Sequence, residues 1–471
     1  MAVRRGTIFT GMLAAVVLAG GSAVPSPAEP FRFPDAQLEP ATWSDLNGWA
    51  GDDHIAAFTA FLTSCQPFLK DARPRDPRPV GQALWEICRR TASLKPATAA
   101  EARAFFEENF RPVRITKLGD AEGFLTGYYE PIVQGSRFPN QEFSVPLYRR
   151  PRDLEAQGYK PGSPSFPNSK SVPIGRRNDK GELVPYPDRG QIEAGALDGR
   201  HLEICWVRDW FEALTIQIQG SARVMLEDGL MVRINYDSFN GHPYSSIGRV
   251  LIERNEIPRE EMSMQRIKDW MKVNPNKAAE VRATNRSFVF FRITGLDKND
   301  EPVGAQNVPL MPGRSIAVDK THVYGTPIYI EATLPIDSPR PVTPFRRLMI
   351  AQDTGSAIVG PARADLYWGA GDGSARIAGR IRHPGRFVML LPRELDMIEA
   401  GRAMPLPLVK PASLVEDAKR EAAAEAKKDA AEAKKKAAGA AAEPNKTDNG
   451  AKKPARPSRG QAVPARPRSG T

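Results

Sequence analysis

Two aspartates lie in a stretch, residues 347–379, whose composition could support acid–base chemistry. Asp353 follows a short apolar run and opens the sequence Asp-Thr-Gly-Ser, and Asp365 precedes Leu-Tyr-Trp and a cluster of glycines. Carboxyl groups serve as general acids and bases, glycines let the backbone approach a ligand, and aromatic faces suit sugar rings. The stretch therefore indicates a carbohydrate or acyl site. The alternative is that both aspartates only cap turns, where Asp is common.

Asp365 is the better candidate acid of the two. It lies between Ala364 and the apolar residues 366–368, and burial there would raise its pKa and keep its proton available. Asp353 opens a D-T-G-S turn as in aspartic proteases, but those enzymes need two such aspartates and no second D-[S/T]-G occurs. The chain also has no G-x-S-x-G and no H-E-x-x-H sequence, so a serine hydrolase or a zinc enzyme is poorly supported.

Length and charge limit the remaining classes. A chain of 471 residues is expected to form two folded units. About half of the formal net charge of +11 lies in residues 411–471, and the rest of the chain has no basic cluster with interleaved aromatic residues. We therefore expect no nucleic acid partner. The basic tail instead favours a weak contact with an anionic wall or membrane surface, or it is a solvated spacer.

The first 28 residues resemble an export signal. Arg4 and Arg5 precede an apolar run over residues 8–19 and then small residues. The run is too short to span a bilayer comfortably, and a short N-terminal anchor is the alternative. No cysteine lies near the end of the signal, so we expect a periplasmic enzyme that is soluble rather than lipid-anchored. In such a compartment Cys65 and Cys88 could pair, a question that the spacing leaves open.

The rest of the chain changes from helical to β periodicity. Apolar spacing predicts helices over residues 54–69 and 82–94, and Thr98 opens a capping box for a third helix. A further helix is predicted over residues 258–273. Alternation and β-branched or aromatic residues predict strands, among them residues 214–219, 287–293, 317–324, 326–334, 347–351 and 386–391. The C-terminal half thus indicates a small β-barrel. Residues 415–442 should form at best a solvated helix, and residues 444–471 should be disordered.

Five motifs together resemble one known family. They are FLTGYYEP at residues 124–131, IQGSAR at 218–223, NGHPYSSIG at 240–248, NRSFVFF at 285–291, and the stretch 347–379. In this order they resemble the membrane-bound lytic murein transglycosylase A family, over roughly residues 40–395. The last stretch resembles the family's three-aspartate domain, whose aspartates would fall on Asp319, Asp353 and Asp365.

The resemblance implies a fold and a division into domains. It implies a mainly β protein with N-terminal helices, built from a double-psi β-barrel domain plus a smaller inserted β domain, with a groove between them. Residues 40–130 would form the helical N-terminal part of the barrel domain, 131–293 the inserted β domain, and 294–395 the three-aspartate part of the barrel. Residues 1–28 and 411–471 would flank these as the signal peptide and the basic tail.

The same resemblance implies a chemistry. Such enzymes cleave the β-1,4 bond between N-acetylmuramic acid and N-acetylglucosamine in peptidoglycan and leave a 1,6-anhydro ring. Ordinary glycosidases use two carboxylates, but here the substrate's own C6 hydroxyl attacks and gains from proximity. Asp365 would protonate the leaving oxygen and then accept the hydroxyl proton. Asp353 and Asp319 would support the barrel turns and orient the acid.

Further expectations concern binding. Thr126, Gly127, Tyr128, Gln219, Gly220 and Ser221 match motif positions that would line the groove, or they serve strand packing and turns. The partners would be peptidoglycan glycan strands and, as further candidates, other wall enzymes, and no metal or organic cofactor is expected. Two other functions stay open: a non-catalytic wall-binding protein, and a hydrolytic muramidase with a second carboxylate, for which Glu130 and Asp372 are candidates.

Overall fold

The computed structural model describes residues 31–395, except residues 34, 75, 161–162, 164–165 and 168–171. The expectations for residues 1–28 and 411–471 lie outside the described residues. The helices are α1 (His54–Leu69), α2 (Pro79–Thr91), α3 (Ala99–Asn109), α4 (Arg189–Glu193), α5 (Trp210–Gln219), α6 (Ile247–Glu253), α7 (Met264–Val273), α8 (Pro275–Thr284) and α9 (Gly371–Ala378). None of the described helices is long and apolar enough to cross a membrane.

The strands fall into three groups along the chain. The first group comprises β1 (Phe31–Phe33), β2 (Ala36–Pro40), β3 (Phe110–Lys117) and β4 (Gly123–Glu130). The second comprises β5 (Ile132–Gly135), β6 (Val145–Tyr148), β7 (Glu155–Ala156), β8 (Ile174–Arg177), β9 (Leu183–Pro185), β10 (Glu203–Val207), β11 (Ser221–Leu226), β12 (Met231–Phe239) and β13 (Val289–Ile293). The third comprises β14 (Ser315–Val318), β15 (Pro327–Leu334), β16 (Thr343–Thr354), β17 (Arg363–Ala370) and β18 (Arg382–Pro392).

The first and third groups build a closed barrel. The strand order is β18-β15-β16-β14-β17-β4, and β4 pairs again with β18, which closes the ring of six strands. β18 can serve both neighbours because its first residues pair with β4 and its later ones with β15. The pairs β14–β16 and β17–β4 are parallel, and the others are antiparallel. The predicted mainly β fold with a barrel is confirmed.

The side chains of the barrel strands alternate between an apolar interior and an outer face, as strand geometry requires. In β17, Ala364 and Leu366 are fully buried in the interior cluster, together with Leu125 of β4. Asp365 and Thr126 occupy the intervening positions and therefore project from the outer face. The alternation thus assigns these two polar side chains to the surface rather than to the core.

The N-terminal helices cover another part of the barrel. Phe58, Phe61, Phe105 and Phe106 of α1 and α3 pack in one cluster with Ile350 of β16. A disulfide joins Cys65 in α1 to Cys88 in α2, which answers the question left open by the spacing. Cys205 is unpaired and buried, and burial raises the pKa of its thiol to about 12. Thr98 caps α3 as predicted, since its side chain accepts the backbone N–H of Glu101.

The second group of strands forms separate sheets. Four strands lie in the order β13-β12-β11-β5, β10 pairs with β6, and β7, β8 and β9 form a small antiparallel sheet. Helices α6, α7 and α8 pack together around Leu251, Ile267 and Val281. This part of the chain leaves the barrel after β4 and returns to it before β14.

Two local predictions were wrong. Residues 214–219 belong to helix α5, because Asp209 caps its first turn by accepting the N–H of Glu212 and Gly220 ends it at a φ of 85°. Six alternating residues cannot distinguish a strand from a half-buried helix. The strand predicted over residues 317–324 ends at Val318, where the chain turns. The glycine cluster leads into α9, and Asp372 lies in the first turn of that helix.

Candidate active site

A row of four residues crosses the outer face of the barrel. Asp353 in β16 and Asp365 in β17 both pair with Ala317 in β14, which lies between them, and Asp365 also pairs with Thr126 in β4. Residues that pair directly across strands project from the same face. The Cα atoms of the two aspartates are therefore two strand spacings apart, about 10 Å.

Asp365 combines partial burial with a free oxygen. Its Oδ1 accepts the hydroxyl of Thr126 at 2.6 Å, and within the described part of the chain its Oδ2 has no hydrogen-bond partner. Burial raises the pKa of Asp365, while the nearby Arg363 and the Thr126 hydroxyl act against that rise. The side chain remains partly exposed. Asp365 can therefore carry a proton nearer to neutral pH than an ordinary Asp and offer it to a substrate.

Asp353 has both oxygens occupied. Its Oδ1 accepts the backbone N–H groups of Ala305 and Thr354, both at 2.9 Å, and its Oδ2 accepts the hydroxyl of Tyr128 at 2.9 Å. Burial raises the pKa of Asp353 to about 6, against the effect of these hydrogen bonds. The carboxyl thus fixes the end of β16 and the Tyr128 ring, and its geometry suits support better than proton delivery.

Asp319 lies beyond the row, directly after β14. Its carboxylate accepts the N–H of Thr321 at 2.9 Å and the N–H of Gly360 at 2.7 Å. It therefore ties the turn that follows β14 to the loop between β16 and β17. No hydrogen bond in the described part of the chain joins Asp319 to Asp353 or Asp365.

The predicted groove residues of β4 take different positions. Thr126 contacts Asp365, and Tyr128 contacts Asp353. Gly127 lies on the opposite side of the strand, where a Cβ would come within 2.7 Å of the Cα of Ala378 in α9. A glycine is required there because the helix packs directly on the strand.

The predicted residues of the second motif lie where α5 meets the barrel. The side-chain oxygen of Gln219 accepts the N–H of Tyr129 at 3.0 Å, which links the helix to β4. Gly220 ends the helix in the left-handed region, and Ser221 is buried at the start of β11. Gln219 is thus bonded to the backbone of β4, whereas Gly220 and Ser221 shape the turn between α5 and β11.

Arg363 is a site residue that the sequence reasoning missed. Its Nη2 donates to the Thr126 hydroxyl oxygen at 2.8 Å, and its guanidinium lies 5.6 Å from the centre of the Phe124 ring. The sequence does contain a signal for it: alternate residues of a strand share a face, so Arg363 lies on the same face as Asp365.

The two candidate second carboxylates do not join the site. Glu130 is 1 % exposed and bridges Arg223 at 2.7 Å and Arg233 at 3.2 Å. Burial raises the pKa of Glu130, and the two guanidinium groups oppose that rise. Its ion pairs join β4 of the barrel to β11 and β12. Asp372 is exposed on α9.

The site shows no sign of a metal centre. Across residues 31–395, leaving aside the undescribed gaps, no group of three or more His, Cys, Asp or Glu side chains could hold a metal ion. A small apolar cavity, lined in part by Val80, Val323 and Met389, lies near the N-terminal helices. It includes none of the predicted site residues, so we assign it no part in the chemistry.

Comparison with known proteins gives the family. The model of the MltA specific insert domain matches residues 124–292, and that of the 3D domain matches residues 314–391. The membrane-bound lytic murein transglycosylase A of Vibrio cholerae is 32 % identical over 294 residues, which cover 61 % of this chain and 70 % of that protein. The chain belongs to the membrane-bound lytic murein transglycosylase A family. The resemblance inferred from the five motifs is confirmed.

Solved structures agree with this membership. A membrane-bound lytic murein transglycosylase from Agrobacterium tumefaciens superposes with a TM-score of 0.67 at 35 % identity, covering 78 % of this chain and 99 % of that one. Escherichia coli MltA with bound chitohexaose superposes with a TM-score of 0.51 at 26 % identity, covering 78 % of this chain and 95 % of that one. The double-psi barrel with an inserted domain is thus the fold of this chain.

Proposed function

We propose that this chain is a lytic transglycosylase that cleaves the β-1,4 bond between N-acetylmuramic acid and N-acetylglucosamine in peptidoglycan and forms 1,6-anhydromuramic acid. The observation that carries the proposal is Asp365, a half-buried carboxyl of raised pKa with one free oxygen on the outer face of the barrel. Family membership supports the activity, since the relatives are named lytic murein transglycosylases. The bound chitohexaose of the Escherichia coli structure supports a glycan strand as the substrate.

The reaction needs one proton carrier and no water. Protonated Asp365 gives its proton to the glycosidic oxygen as the bond to C1 of the muramic acid breaks. The resulting carboxylate then takes the proton of the C6 hydroxyl, and O6 bonds to C1 of the same sugar. Asp365 is protonated again at the end, so the cycle closes. Proximity favours O6 because it is already attached to the reacting ring.

Asp353 and Asp319 act as supports in this proposal. Asp353 fixes Tyr128 and the end of β16, and Asp319 holds the loop before β17. Tyr128 and Gln219 would border the bound glycan. Gly127, Gly220 and Ser221 would shape the backbone around it.

The glycan groove would run between the barrel and an inserted domain of residues 131–293, with residues 40–130 and 294–395 forming the barrel domain. Two contacts near the row support this placement, because each joins the barrel to the second group of elements. Gln219 accepts the N–H of Tyr129, and Arg382, which pairs with Thr126, donates to the carbonyl of Met262 at 3.1 Å.

A hydrolytic muramidase is the second candidate, and the carboxylates argue against it. Hydrolysis with inversion or retention needs a second carboxylate within about 10 Å of the acid. Glu130 is held in two ion pairs, and both oxygens of Asp353 are occupied. A non-catalytic wall-binding protein would not need a carboxyl of raised pKa with a free oxygen.

Export to the periplasm is part of the proposal. The Cys65–Cys88 disulfide supports it, because disulfides persist in oxidising compartments. The relatives are named membrane-bound, whereas the sequence favours a periplasmic enzyme without a lipid anchor, and cell fractionation with and without detergent distinguishes the two. The basic tail would add a weak contact with the wall or an anionic membrane, and other wall enzymes remain candidate partners. Deleting residues 411–471 should then weaken binding to sacculi at low salt and change little at high salt.

Product analysis tests the activity. Purified sacculi are incubated with the protein, and the masses of the released muropeptides are measured by mass spectrometry before and after borohydride treatment. We expect products one water lighter than hydrolysed ones and resistant to reduction. Asp365→Asn should release none, while the matched control Asp372→Asn, an exposed carboxylate on α9, should act as the wild type does. Reducible products would establish a muramidase, and binding without release would establish a wall-binding protein.

A further inference from the structure

The side chain of Arg363 is fixed on three sides. Its Nη2 donates to the Thr126 hydroxyl oxygen at 2.8 Å, its Nη1 donates to the carbonyl of Ala364, and its guanidinium lies over the ring of Phe124. Burial lowers the pKa of Arg363 from its ordinary value, but a guanidinium stays protonated throughout the working range of an enzyme. Arg363 is therefore a permanent donor in a defined position.

The Thr126 hydroxyl has a single proton to give. Because its oxygen accepts from Arg363, that proton must point away from the guanidinium, and the acceptor it meets is Oδ1 of Asp365 at 2.6 Å. Oδ1 is therefore occupied as an acceptor whenever Arg363 is in place. Of the two oxygens of Asp365, only Oδ2 is left to carry the proton.

We propose that Arg363 is a positioning residue for the transglycosylase reaction, which holds the Thr126 hydroxyl so that Oδ2 of Asp365 always carries and delivers the proton. The inference rests on the proposed function. It also changes the expected part of Thr126, which acts on the acid instead of binding the substrate. Without Arg363 the hydroxyl can rotate, and the proton of Asp365 can reside on either oxygen.

The charged groups around Asp365 determine the expected pH dependence. The titratable groups that interact electrostatically with Asp365 are Arg363 on its own strand, Tyr128 on β4 and Asp353 on β16. Gln219 at the end of α5 is neutral and bonds to the backbone of Tyr129. Among these groups, the Arg363 charge, together with the Thr126 hydroxyl, opposes the rise that burial causes in the pKa of Asp365. Removing the charge should raise that pKa further, so the acid would stay protonated to higher pH.

The test compares Arg363→Met, Arg363→Lys, Thr126→Val and the Met/Val double variant by kcat, KM and pH profile on soluble peptidoglycan fragments. Arg363→Met and Thr126→Val should each lower kcat on the order of tenfold, the usual value of a hydrogen bond to a charged group. Both should move the alkaline limb of kcat/KM to higher pH. The kcat of the double variant should be no lower than that of the worse single variant, because one residue acts through the other. Arg363→Lys keeps the charge and should restore the wild-type limb.

Each contrary result has a definite meaning. A raised KM with unchanged kcat and unchanged limb in Arg363→Met would overturn the inference and make the arginine a substrate ligand. Additive losses in the double variant would also overturn it, since the two residues would then act independently. If Arg363→Met fails to fold, an alkaline limb of Arg363→Lys displaced as far as that of Thr126→Val would contradict it. A wild type that forms no anhydro products would instead overturn the proposed function itself.

Discussion

Asp365 and Glu130 are two buried or half-buried carboxyls on neighbouring strands, and arginine approaches each of them differently. Glu130 contacts Arg223 and Arg233 directly. Among the described residues no hydrogen bond joins Asp365 to Arg363, and the hydroxyl of Thr126 bonds to both of them. Burial raises the pKa of both groups.

The difference separates a carboxylate with a structural role from the one that carries the proton in the proposed function. Two direct guanidinium contacts favour the anion of Glu130 and use its oxygens to join β4 to β11 and β12, so its proton and its position are not available for a reaction. An indirect contact at Asp365 orients one oxygen and leaves the other free. In the proposed function, an arginine without a direct hydrogen bond to the carboxyl leaves it able to give up and retake a proton.

The largest expected effect comes from removing the acid. Asp365→Asn keeps the shape of the side chain and the hydrogen bond from Thr126 but cannot transfer a proton. We expect the rate of anhydro product formation to fall by about 10³-fold, within the usual range for a general acid–base group. The far-UV circular dichroism and melting temperature should change little. A variant that keeps a tenth of the activity would contradict the role of Asp365 as the general acid.

Glu130→Gln should show the opposite pattern. The change leaves Arg223 and Arg233 buried without their carboxylate, which should lower the free energy of unfolding by about 3 kcal/mol. The measurement is urea unfolding, together with kcat per folded molecule, which should stay near the wild-type value. Glu155→Gln is the matched control, because Glu155 pairs with Arg177 at the exposed surface and should cost less than about 1 kcal/mol. Equal stability of the Glu130 variant and the wild type would contradict the structural role of Glu130.

Asp353→Asn tests how the stability of the protein depends on pH through a third buried carboxyl. The folded-state pKa of Asp353, about 6, lies above its ordinary value, so its contribution to stability is complete below pH 4 and is lost as the pH rises through about 6. The variant does not titrate. The melting temperature of the wild type, relative to Asp353→Asn, should therefore fall between pH 4 and pH 7. A difference that stays constant with pH would mean that Asp353 is not held in a desolvating site.

The smallest effect is expected for Tyr128→Phe. The change removes the hydroxyl that donates to Asp353, and this hydrogen bond lowers the pKa of that carboxyl. We expect a loss of about 1 kcal/mol in the free energy of unfolding and a fall in kcat of less than about tenfold. Thermal melts and product assays check both values. A loss of activity as large as that of Asp365→Asn would mean that Tyr128 takes a direct part in the reaction.

The sequence predicted those features that depend on local composition. Asp365 was singled out as the candidate acid because it lies between apolar and aromatic residues, and a small β-barrel was predicted from many short strands. Helix α5 was missed because alternation over residues 214–219 also fits a half-buried helix. The caps at Asp209 and Gly220 were the available signals.

The contacts on which the proposed mechanism depends are not local. Arg363 and Thr126 are 237 residues apart in the chain, and they meet only because β17 pairs in parallel with β4. Glu130 and Arg233 are 103 residues apart. A sequence alone gives the residue types of such pairs but not the strand register that brings them together, so the relation between each carboxyl and its arginine required the structure.

The central claim is that the substrate's own hydroxyl, and not water, attacks C1. The most direct test asks whether oxygen from water enters the products. Sacculi are digested in water labelled with the heavy oxygen isotope, and the new muramic acid ends are examined by mass spectrometry, with Asp365→Asn as the control. A single acid that uses the substrate's own hydroxyl predicts anhydro ends without label, and no new ends from the variant. Label at C1 of the new ends would contradict the account, because water would then be the nucleophile and a second carboxylate would have to activate it.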